Sequence, residues 1–342
     1  MYAGILYEKF YSLCGKRLLG KQISKKAGRQ GGRPIASHPL AVTGYQSLKY
    51  LSITLSLMSG SNAQNQGQKV AVVTGSSSGI GYETALLLAR NGFLTYATMR
   101  NLQKSDAIKS AADRERLSLR VKQLDVRDDD SVRKAVQSIV SEAGRIDVLV
   151  NNAGYGLAGA FEDSSIDEIK DQYETNVYGL VRVTQAVLPT MRKQHSGVII
   201  NISSGAGRFG YPGGSVYVSS KFAVEGLSES LSYEVEPFGI KVVLVEPGVI
   251  RTDFGRDMVI AKRAQDPSSP YAQMMQAMGA ILSKLVENGS DPALVANVVL
   301  EAAKSENPKL RYLAGKDVEQ MMAARSSMSD EEFHAMMKQG TG

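Results

Sequence analysis

Cysteine and histidine are scarce in this chain of 342 residues. The single cysteine, Cys14, lies near the N-terminus, which excludes a disulfide framework, a catalytic thiol and a cysteine-ligated metal from the rest of the chain. The three histidines, His38, His195 and His334, are far apart and show no ligand spacing. We therefore expect no metal site.

Long hydrophobic runs are also missing. The apolar stretch at residues 50–58 is too short to span a bilayer, so no transmembrane segment is expected. Hydrophobic residues make up 43% of the chain and charged residues 22%, a balance typical of a globular protein with a sizeable core.

Acidic residues are scarce only at the start of the chain. Residues 1–57 hold nine basic residues and one acid, whereas the other 31 basic and 33 acidic residues leave the body close to neutral, with no nucleic-acid footprint. We interpret residues 1–66 as a basic extension that is either disordered or a targeting segment, with Met58 a possible true start. A cytoplasmic location is expected, and organelle targeting by residues 1–57 stays open.

From Lys69 onward, short β-branched runs alternate with helical patterns. This alternation predicts an α/β fold, a doubly wound parallel sheet of the Rossmann type, in one domain over residues 67–325, followed by a tail at 326–342. The predicted strands are 69–74, 94–99, 119–125, 146–151, 198–203, 241–246 and 310–315. The predicted helices are 80–91, 101–116, 129–143, 167–194, 216–236 and 291–305.

The first predicted strand runs directly into TGSSSGIG, residues 74–81, and then into a helix. Glycines at such a junction allow a tight turn, and the free amides of the helix N-terminus can bind a pyrophosphate. The spacing is GxxxGxG rather than GxGxxG, and a glycine–serine stretch alone is often a simple turn. Its position between strand and helix favours a dinucleotide loop.

The end of the second strand lacks the acid that would bind a ribose 2′-hydroxyl. Arg100 stands there instead and can contact a 2′-phosphate through a charge-assisted hydrogen bond. The alternative is a solvated surface arginine. The pattern favours NADP(H) over NAD(H) as the cofactor.

Tyr217 and Lys221 are four residues apart and share one face of a predicted helix. A nearby lysine cation favours the phenolate and should lower the pKa of Tyr217 toward the range of general acid–base catalysis. A serine at the end of the preceding strand, Ser204, lies thirteen residues upstream and could bind a substrate carbonyl.

The YxxxK spacing alone is weak evidence, because two other pairs share it. What separates Tyr217 is its serine partner, which neither of the other pairs has. Those pairs are Tyr45…Lys49 and Tyr312…Lys316, and their positions thirteen residues upstream are Gly32 and Val299.

Together these motifs resemble the short-chain dehydrogenase/reductase family over residues 69–250. The matching elements are TGSSSGIG at 74–81, NNAG at 151–154, and Pro247-Gly248 followed by Thr252. The context of Arg100 is more weakly similar to 17β-hydroxysteroid and retinol dehydrogenases. The resemblance implies the strand order 3-2-1-4-5-6-7, with the cofactor at the carboxyl edge of the sheet, and four active-site residues: Asn176, Ser204, Tyr217 and Lys221.

The resemblance also implies a role for each of these residues. Tyr217 exchanges a proton with the carbonyl or alcohol oxygen, and Ser204 orients and polarises that group. Lys221 lowers the pKa of Tyr217 and binds the nicotinamide ribose, while Asn176 helps to hold a water that links Lys221 to solvent. The implied cofactor contacts, besides Tyr217 and Lys221, are Gly75, Ser77, Ser78, Gly79, Ile80, Gly81, Arg100, Asp125, Val126, Asn152, Ala153, Gly154, Pro247, Gly248, Val249 and Thr252.

Residues 249–290 are expected to form a lid over the substrate. Their apolar composition favours a hydrophobic ketone, aldehyde or alcohol, although the same residues could simply pack the lid together. These apolar residues are Phe254, Met258, Tyr271, Met274, Met275, Met278, Ile281 and Leu282.

The sequence therefore predicts an NADP(H)-dependent oxidoreductase acting on CH–OH and C=O groups. The alternative is a catalytically silent NADPH-binding sensor or regulator of the same fold. By analogy with relatives, the predicted helices 167–194 and 216–236 should form the interface of a homodimer or homotetramer.

Overall fold

The computed structural model describes residues 67–256 and 258–339. The predictions for residues 1–66 lie outside this range. Within it, no helix is both long and apolar enough to cross a membrane.

Seven parallel strands form one sheet. They are β1 (Val70–Val73), β2 (Leu94–Met99), β3 (Leu119–Gln123), β4 (Val148–Asn151), β6 (Gly197–Ile202), β7 (Ile240–Pro247) and β9 (Arg311–Ala314). Their order across the sheet is β3-β2-β1-β4-β6-β7-β9. Counting only these strands along the chain, the order is 3-2-1-4-5-6-7, so the predicted fold class and strand order are confirmed.

The sheet is buried on both faces, which explains its nearly continuous apolar strands. In β1, Val70 and Val72 point into one hydrophobic cluster while Ala71 and Val73 point into the other. This alternation follows from the two-residue period of a strand.

Helices cover both faces of the sheet. Residues of α1 and α9 pack on the Ala71 face, and residues of α3 and α5 pack on the Val70 face. The helices are α1 (Gly79–Arg90), α2 (Asp106–Glu115), α3 (Asp129–Ala143), α4 (Ile166–Tyr173), α5 (Leu180–Gln194), α6 (Ser215–Val235), α7 (Asp253–Arg256), α8 (Ala272–Glu287), α9 (Pro292–Lys304), α10 (Lys316–Ser327) and α11 (Asp330–Gln339).

Two predicted helices are broken in the structure. The helix predicted over 101–116 is a 3₁₀ turn, Leu102–Lys104, followed by α2, because the side chain of Asn101 accepts a hydrogen bond from the Gln103 amide and caps the turn. The helix predicted over 167–194 is interrupted by a π-helical turn, Glu174–Gly179, between α4 and α5.

Two further features of the structure differ from the prediction. A small second sheet pairs β5 (Leu157–Ala158) with β8 (Val259–Ile260) and was not predicted, since strands of two residues carry no periodic signal. The predicted tail from residue 326 belongs to the domain instead: α10 crosses that boundary, and Phe333 of α11 is buried with its ring 6.1 Å from that of Phe209.

Candidate active site

The glycine turn between β1 and α1 has little space for side chains. Gly75 and Gly79 have positive φ angles, 68° and 57°, which non-glycine residues rarely adopt. A methyl group on Gly81 would overlap the Asn152 side chain and the Gly75 carbonyl. No side chain caps the N-terminus of α1 at Ser78, and its first turn has no acid. The amides at this end of α1 are therefore suited to an anion.

Asn152 fixes the shape of this turn. Its side-chain amide donates to the carbonyls of Thr74 and Gly75 at 2.9 and 3.1 Å, and the Thr74 hydroxyl accepts from the amides of Asn152 and Ala153 at 3.0 Å each. The end of β4 is thereby joined to the turn after β1. The Asn152 side-chain amide is used for hydrogen bonds within the loop. Neighbouring groups, rather than this amide, would therefore contact a ribose.

The predicted phosphate-binding residues differ in exposure. Arg100 is exposed at the end of β2 and forms no ion pair with the described residues, while its carbonyl accepts from Gln123. Ser77 is half-buried and Ser78 is exposed. The side chain of Ile80 packs against the core, so only its backbone can face a phosphate.

Asp125 and Val126 lie just beyond β3, where an adenine is expected. The Asp125 carboxylate accepts a hydrogen bond from the Arg127 amide at 3.0 Å, which stops the strand two residues earlier than predicted. Val126 is buried, and a methyl group on Gly179 would lie 2.7 Å from its side chain.

Asn176 lies inside the π-helical turn and is buried. Its side-chain amide donates to the Tyr155 carbonyl at 2.9 Å and to the Ser220 hydroxyl at 3.3 Å, and its oxygen accepts from the Tyr155 amide at 3.1 Å. A methyl group on Gly154 would lie 3.1 Å from that oxygen. Asn176 thus joins the segment after β4 to α6, and π turns of this kind are frequent at functional sites.

Ser204, Tyr217 and Lys221 meet at the carboxyl end of β6. The Ser204 hydroxyl acts on the Tyr217 phenol in the direction that lowers its pKa, and it accepts a hydrogen bond from the Ala206 amide at 3.1 Å. Lys221 is one turn beyond Tyr217 on α6, with its Nζ 5.8 Å from the centre of the tyrosine ring. That Nζ donates to the Ile202 carbonyl at 2.9 Å. The predicted grouping of these three residues is present.

Burial opposes the predicted effect of Lys221 on Tyr217. Burial raises the pKa of Tyr217 to about 12, and the Ser204 hydroxyl only partly opposes this. Burial lowers the pKa of Lys221 to about 8, against the opposing charge of Glu225. The reason is that both groups are buried, and burial disfavours the charged form of each.

The loop after β7 contains a contact that the sequence did not predict. The Asp317 carboxylate, at the start of α10, accepts from the Val249 amide at 2.7 Å and would overlap any methyl group on Gly248. The Val249 carbonyl accepts from the Ser290 amide at 2.9 Å. The Val249 amide is therefore occupied, whereas its carbonyl keeps a second lone pair that could accept from a carboxamide. Pro247 ends β7 directly before this loop.

Thr252 brings the same loop to the glycine turn. A methyl group on Gly79 would lie 3.3 Å from the Thr252 side chain, which is buried. The predicted phosphate end and the predicted nicotinamide end of the site are therefore adjacent at the start of α1.

The predicted lid borders a cleft beside Tyr217. The Phe254 ring lies 5.9 Å from the Tyr217 ring, and the Met258 side chain lies about 3.3 Å from the place of a methyl group on Gly156. An open cavity of about 420 Å³ is bordered by Tyr271 and Met274 of the predicted lid, and Tyr217 is not in its lining. Its lining is Ala160, Phe161, Glu162, Pro212, Gly213, Ser215, Tyr271 and Met274.

Two residues near the site were missed from the sequence. Asp317 is 68 residues from the amide that it binds, and no local pattern marks it. Tyr211 lies six residues before Tyr217, and burial together with the charge of Tyr217 raises its pKa above the usual range. The sequence offered one indication that Tyr211 lies near the site, which is its position between Ser204 and Tyr217.

Comparison with known proteins gives a consistent result. Residues 69–263, more than half of the chain, match the family model described as short chain dehydrogenase. The chain is 38% identical over 259 residues to a 3-ketodihydrosphingosine reductase of Bacteroides thetaiotaomicron, covering 76% of this chain and 92% of that protein. It is also 38% identical over 253 residues to retinol dehydrogenase 8 of Bos taurus, covering 71% and 80%.

Solved structures agree with these sequence matches. A short-chain dehydrogenase from Streptomyces avermitilis superposes with a TM-score of 0.69 at 34% identity, covering 81% of this chain and 98% of that one. An alcohol dehydrogenase from the archaeon Thermococcus sibiricus, complexed with 5-hydroxy-NADP, gives 0.60 at 25% identity, covering 72% and 95%. The chain belongs to the short-chain dehydrogenase/reductase family and is an oxidoreductase acting on CH–OH groups.

Proposed function

We propose that this protein is an NADP(H)-dependent oxidoreductase that acts on a hydrophobic ketone, aldehyde or alcohol, with Tyr217 as the general acid–base. The observation that carries the proposal is the placement of Tyr217. It is buried, one helical turn from Lys221, and influenced by the Ser204 hydroxyl, while the glycine turn and the loop after β7 meet at Gly79 and Thr252.

The residues around the glycine turn fit a dinucleotide. The crowding at Gly75 and Gly81 and the uncapped start of α1 suit a closely approaching pyrophosphate. Arg100 is exposed and unpaired by the described residues, which suits a 2′-phosphate. The archaeal alcohol dehydrogenase named above is complexed with an NADP derivative, which supports the same cofactor here. When bound, NADP(H) supplies or accepts the hydride.

The protein's own residues would handle the proton and the orientation of the substrate. In reduction, the Tyr217 phenol donates its proton to the carbonyl oxygen, while the Ser204 hydroxyl hydrogen-bonds the same oxygen and orients it. In oxidation, the Tyr217 oxygen accepts the proton of the alcohol. Lys221 would hold the nicotinamide ribose, and its ammonium, 5.8 Å from the centre of the Tyr217 ring, favours the phenolate.

Asn176 orders the floor of the site through the π-helical turn, because its side chain bonds Tyr155 and Ser220. Its oxygen accepts one hydrogen bond and keeps a second lone pair, so Asn176 can also help to hold a water that links Lys221 to solvent.

The substrate side supports an apolar ligand. The Phe254 ring lies 5.9 Å from the Tyr217 ring, and Met258 lies close to Gly156. Two relatives are named as acting on ketodihydrosphingosine and on retinol, which favours a hydrophobic substrate class. Methionine and aromatic side chains suit such ligands because they adapt to irregular apolar shapes.

Self-association also belongs to the proposal. Three large aromatic residues are solvent-exposed in the single chain, Tyr178 at 51%, Phe222 at 47% and Tyr233 at 68%, and all lie in the π-helical turn or α6. Burying such residues in a homodimer or homotetramer would be favourable. A cytoplasmic location remains a prediction from the sequence.

The first test is binding of NADPH and NADH side by side, followed by turnover of a panel of hydrophobic carbonyls with the tighter cofactor. We expect NADPH to bind at least tenfold more tightly, and Arg100→Asp to abolish that preference. Lys104→Asp removes a nearby exposed cation and serves as the control, with the preference retained. Equal binding of the two cofactors would contradict the role of Arg100, whereas tight NADPH binding without turnover of any carbonyl would favour a sensor.

A further inference from the structure

Two carboxylates are buried directly behind the candidate active site. Glu225 lies on α6, one turn beyond Lys221 and two turns beyond Tyr217, and its side chain is 7% exposed. Glu246 is the residue before Pro247 at the end of β7, and its side chain is 1% exposed. The proposed reaction uses neither of them.

Two arginines from separate segments hold these carboxylates. Arg311, the first residue of β9, places its Nε 3.0 Å from a Glu225 oxygen and 3.3 Å from a Glu246 oxygen. Arg208, directly after the turn that begins at Ser204, lies 3.0 Å from the same Glu246 oxygen. We refer to Glu225, Glu246, Arg208 and Arg311 as the acid–arginine cluster.

The cluster is costly to bury. One oxygen of Glu225 and one of Glu246 are buried without any hydrogen-bond partner. Burial and the charge of Glu225 raise the pKa of Glu246, against the opposing charges of Arg208 and Arg311. Buried ion pairs of this kind rarely improve stability over well-packed apolar side chains. Stability alone therefore gives little reason for burying these charges together.

The position of Lys221 indicates a role for these charges. Its ammonium is buried, and the neighbour within hydrogen-bonding distance is the neutral Ile202 carbonyl. Tyr217 lies one turn away on the same helix, and as a protonated phenol it offers Lys221 no negative charge. Glu225 is the acid whose negative charge acts on Lys221 and raises its pKa against the effect of burial.

The same cluster holds the Ser204 turn against α6. A methyl group on Gly207 would lie 2.9 Å from Glu225 Cγ and 3.2 Å from the Lys221 carbonyl, so the turn packs between these two residues. The next residue, Arg208, binds Glu246. The turn, α6, β7 and β9 are thus joined at one buried point.

We propose that Glu225 is a positioning residue of this enzyme, which keeps Lys221 in its ammonium form and, with the acid–arginine cluster, holds the Ser204 turn in register with Tyr217. The inference rests on the proposed roles of Tyr217 and Lys221. The charged groups that face Glu225 are Lys221 and Glu229 on its own helix, Glu246 on β7, Arg311 on β9, and Arg208 after the Ser204 turn.

The test compares Glu225→Gln with Glu229→Gln. Both substitutions keep the shape of the side chain and remove one carboxylate that binds Arg311, since Glu229 lies 2.6 Å from its NH2 group. Glu229 lies a further turn from Lys221, and its side chain is 45% exposed. Glu229→Gln is therefore the control, because it removes a partner of Arg311 but keeps the negative charge of Glu225 beside Lys221.

The titration midpoint of Lys221 can be measured without turnover. Protein labelled with ¹³Cε-lysine is titrated by NMR in the absence of cofactor, and the Lys221 signal is assigned by its disappearance in Lys221→Met. A buried lysine with a lowered pKa titrates apart from surface lysines, whose pKa values are near 10.4. We expect Glu225→Gln to move the midpoint about one pH unit lower, and Glu229→Gln to leave it unchanged.

An unchanged midpoint in Glu225→Gln, or an equal fall in both variants, would overturn the inference. If Glu225→Gln does not fold, the double variant Glu225→Gln with Arg311→Gln is compared with Arg311→Gln alone, because Arg311 is itself a cation that disfavours the Lys221 ammonium. A midpoint that is no lower in the double variant than in Arg311→Gln overturns the inference equally. In turnover assays of Glu225→Gln, the pH above which activity falls should be lower by the same shift as the NMR midpoint.

Failure of the unsubstituted protein to turn over any carbonyl would instead overturn the proposed function. The NMR result on Lys221 would stand separately.

Discussion

The two sides of the cleft are built differently. On the cofactor side, defined as residues 74–81 and 151–154, the backbone is fixed by hydrogen bonds between Thr74, Asn152 and Ala153 and by glycines with no free space around them. On the substrate side, defined as residues 253–287, α8 has no buried residue and its Leu285 is half exposed. The side that holds the common cofactor is rigid, and the side that must recognise a particular substrate is loosely packed.

The largest effect is expected where the two sides meet. Tyr217→Phe removes the proton donor but keeps the ring that packs against Phe254. We expect kcat to fall by about 10² to 10⁴-fold, the usual contribution of general acid–base catalysis, with the Kd for NADPH unchanged. Stopped-flow turnover and fluorescence titration measure the two quantities. Unaltered turnover would remove Tyr217 from the mechanism.

A matched pair of glycine substitutions tests the difference in rigidity directly. Gly81→Ala introduces a methyl group that overlaps Asn152 and Gly75, so we expect a loss of stability of about 1–3 kcal/mol and much weaker NADPH binding. Gly279→Ala, in α8, has nothing within 4 Å and should stabilise the helix by about 0.5–1 kcal/mol. Denaturant unfolding and cofactor titration give both results. Equal effects would show that the two sides are similarly packed.

The pH dependence should report on Lys221 rather than on Tyr217. The pKa of Lys221 is lowered to about 8, so its ammonium is present below that pH and is lost as the pH rises through it. Because the pKa of Tyr217 is about 12, its phenol remains a proton donor over the same range. We expect kcat/KM for NADPH-dependent reduction to fall about tenfold per pH unit above pH 8. The control is Lys221→Arg, which keeps a cation at high pH and should lack this limb. A limb that persists in that variant would belong to another group.

The smallest effect is expected on the substrate side. Phe254→Ala removes a ring that packs beside Tyr217 and borders the cleft. We expect KM for an apolar ketone to rise by about tenfold or less, equivalent to about 1.4 kcal/mol of lost apolar contact, with the Kd for NADPH unchanged. Steady-state kinetics over ketones of increasing chain length measure this effect. A rise in the NADPH Kd as large as that in KM would mean that the two sides are coupled.

The strand, turn and helix of the cofactor side could be predicted because local patterns determine them. The strand β1, the glycines of residues 74–81 and the start of α1 are adjacent in the chain, so their geometry follows from neighbouring residues. The spacing of Tyr217 and Lys221 predicts that they share one helix face. Their grouping with Ser204, thirteen residues upstream, was expected from the family resemblance.

The features that were missed depend on distant contacts. The bond between Val249 and Asp317 joins β7 to α10, and the burial of Phe333 depends on Phe209. The raised pKa of Tyr217 follows from burial, which the YxxxK spacing does not report. In each case the effect is set by tertiary packing, and single-sequence patterns carry little information about it.

The π-helical turn at Glu174–Gly179 also bears on how this chain tolerates changes in length. A π turn is equivalent to an α-helix with one extra residue, so every residue of α5 is rotated by about 100° relative to an uninterrupted continuation of α4. A deletion of one residue within the turn would restore a regular helix but would withdraw Asn176 from Tyr155. This six-residue stretch should therefore keep a constant length in any functional variant, while the exposed loops between other elements can gain or lose residues.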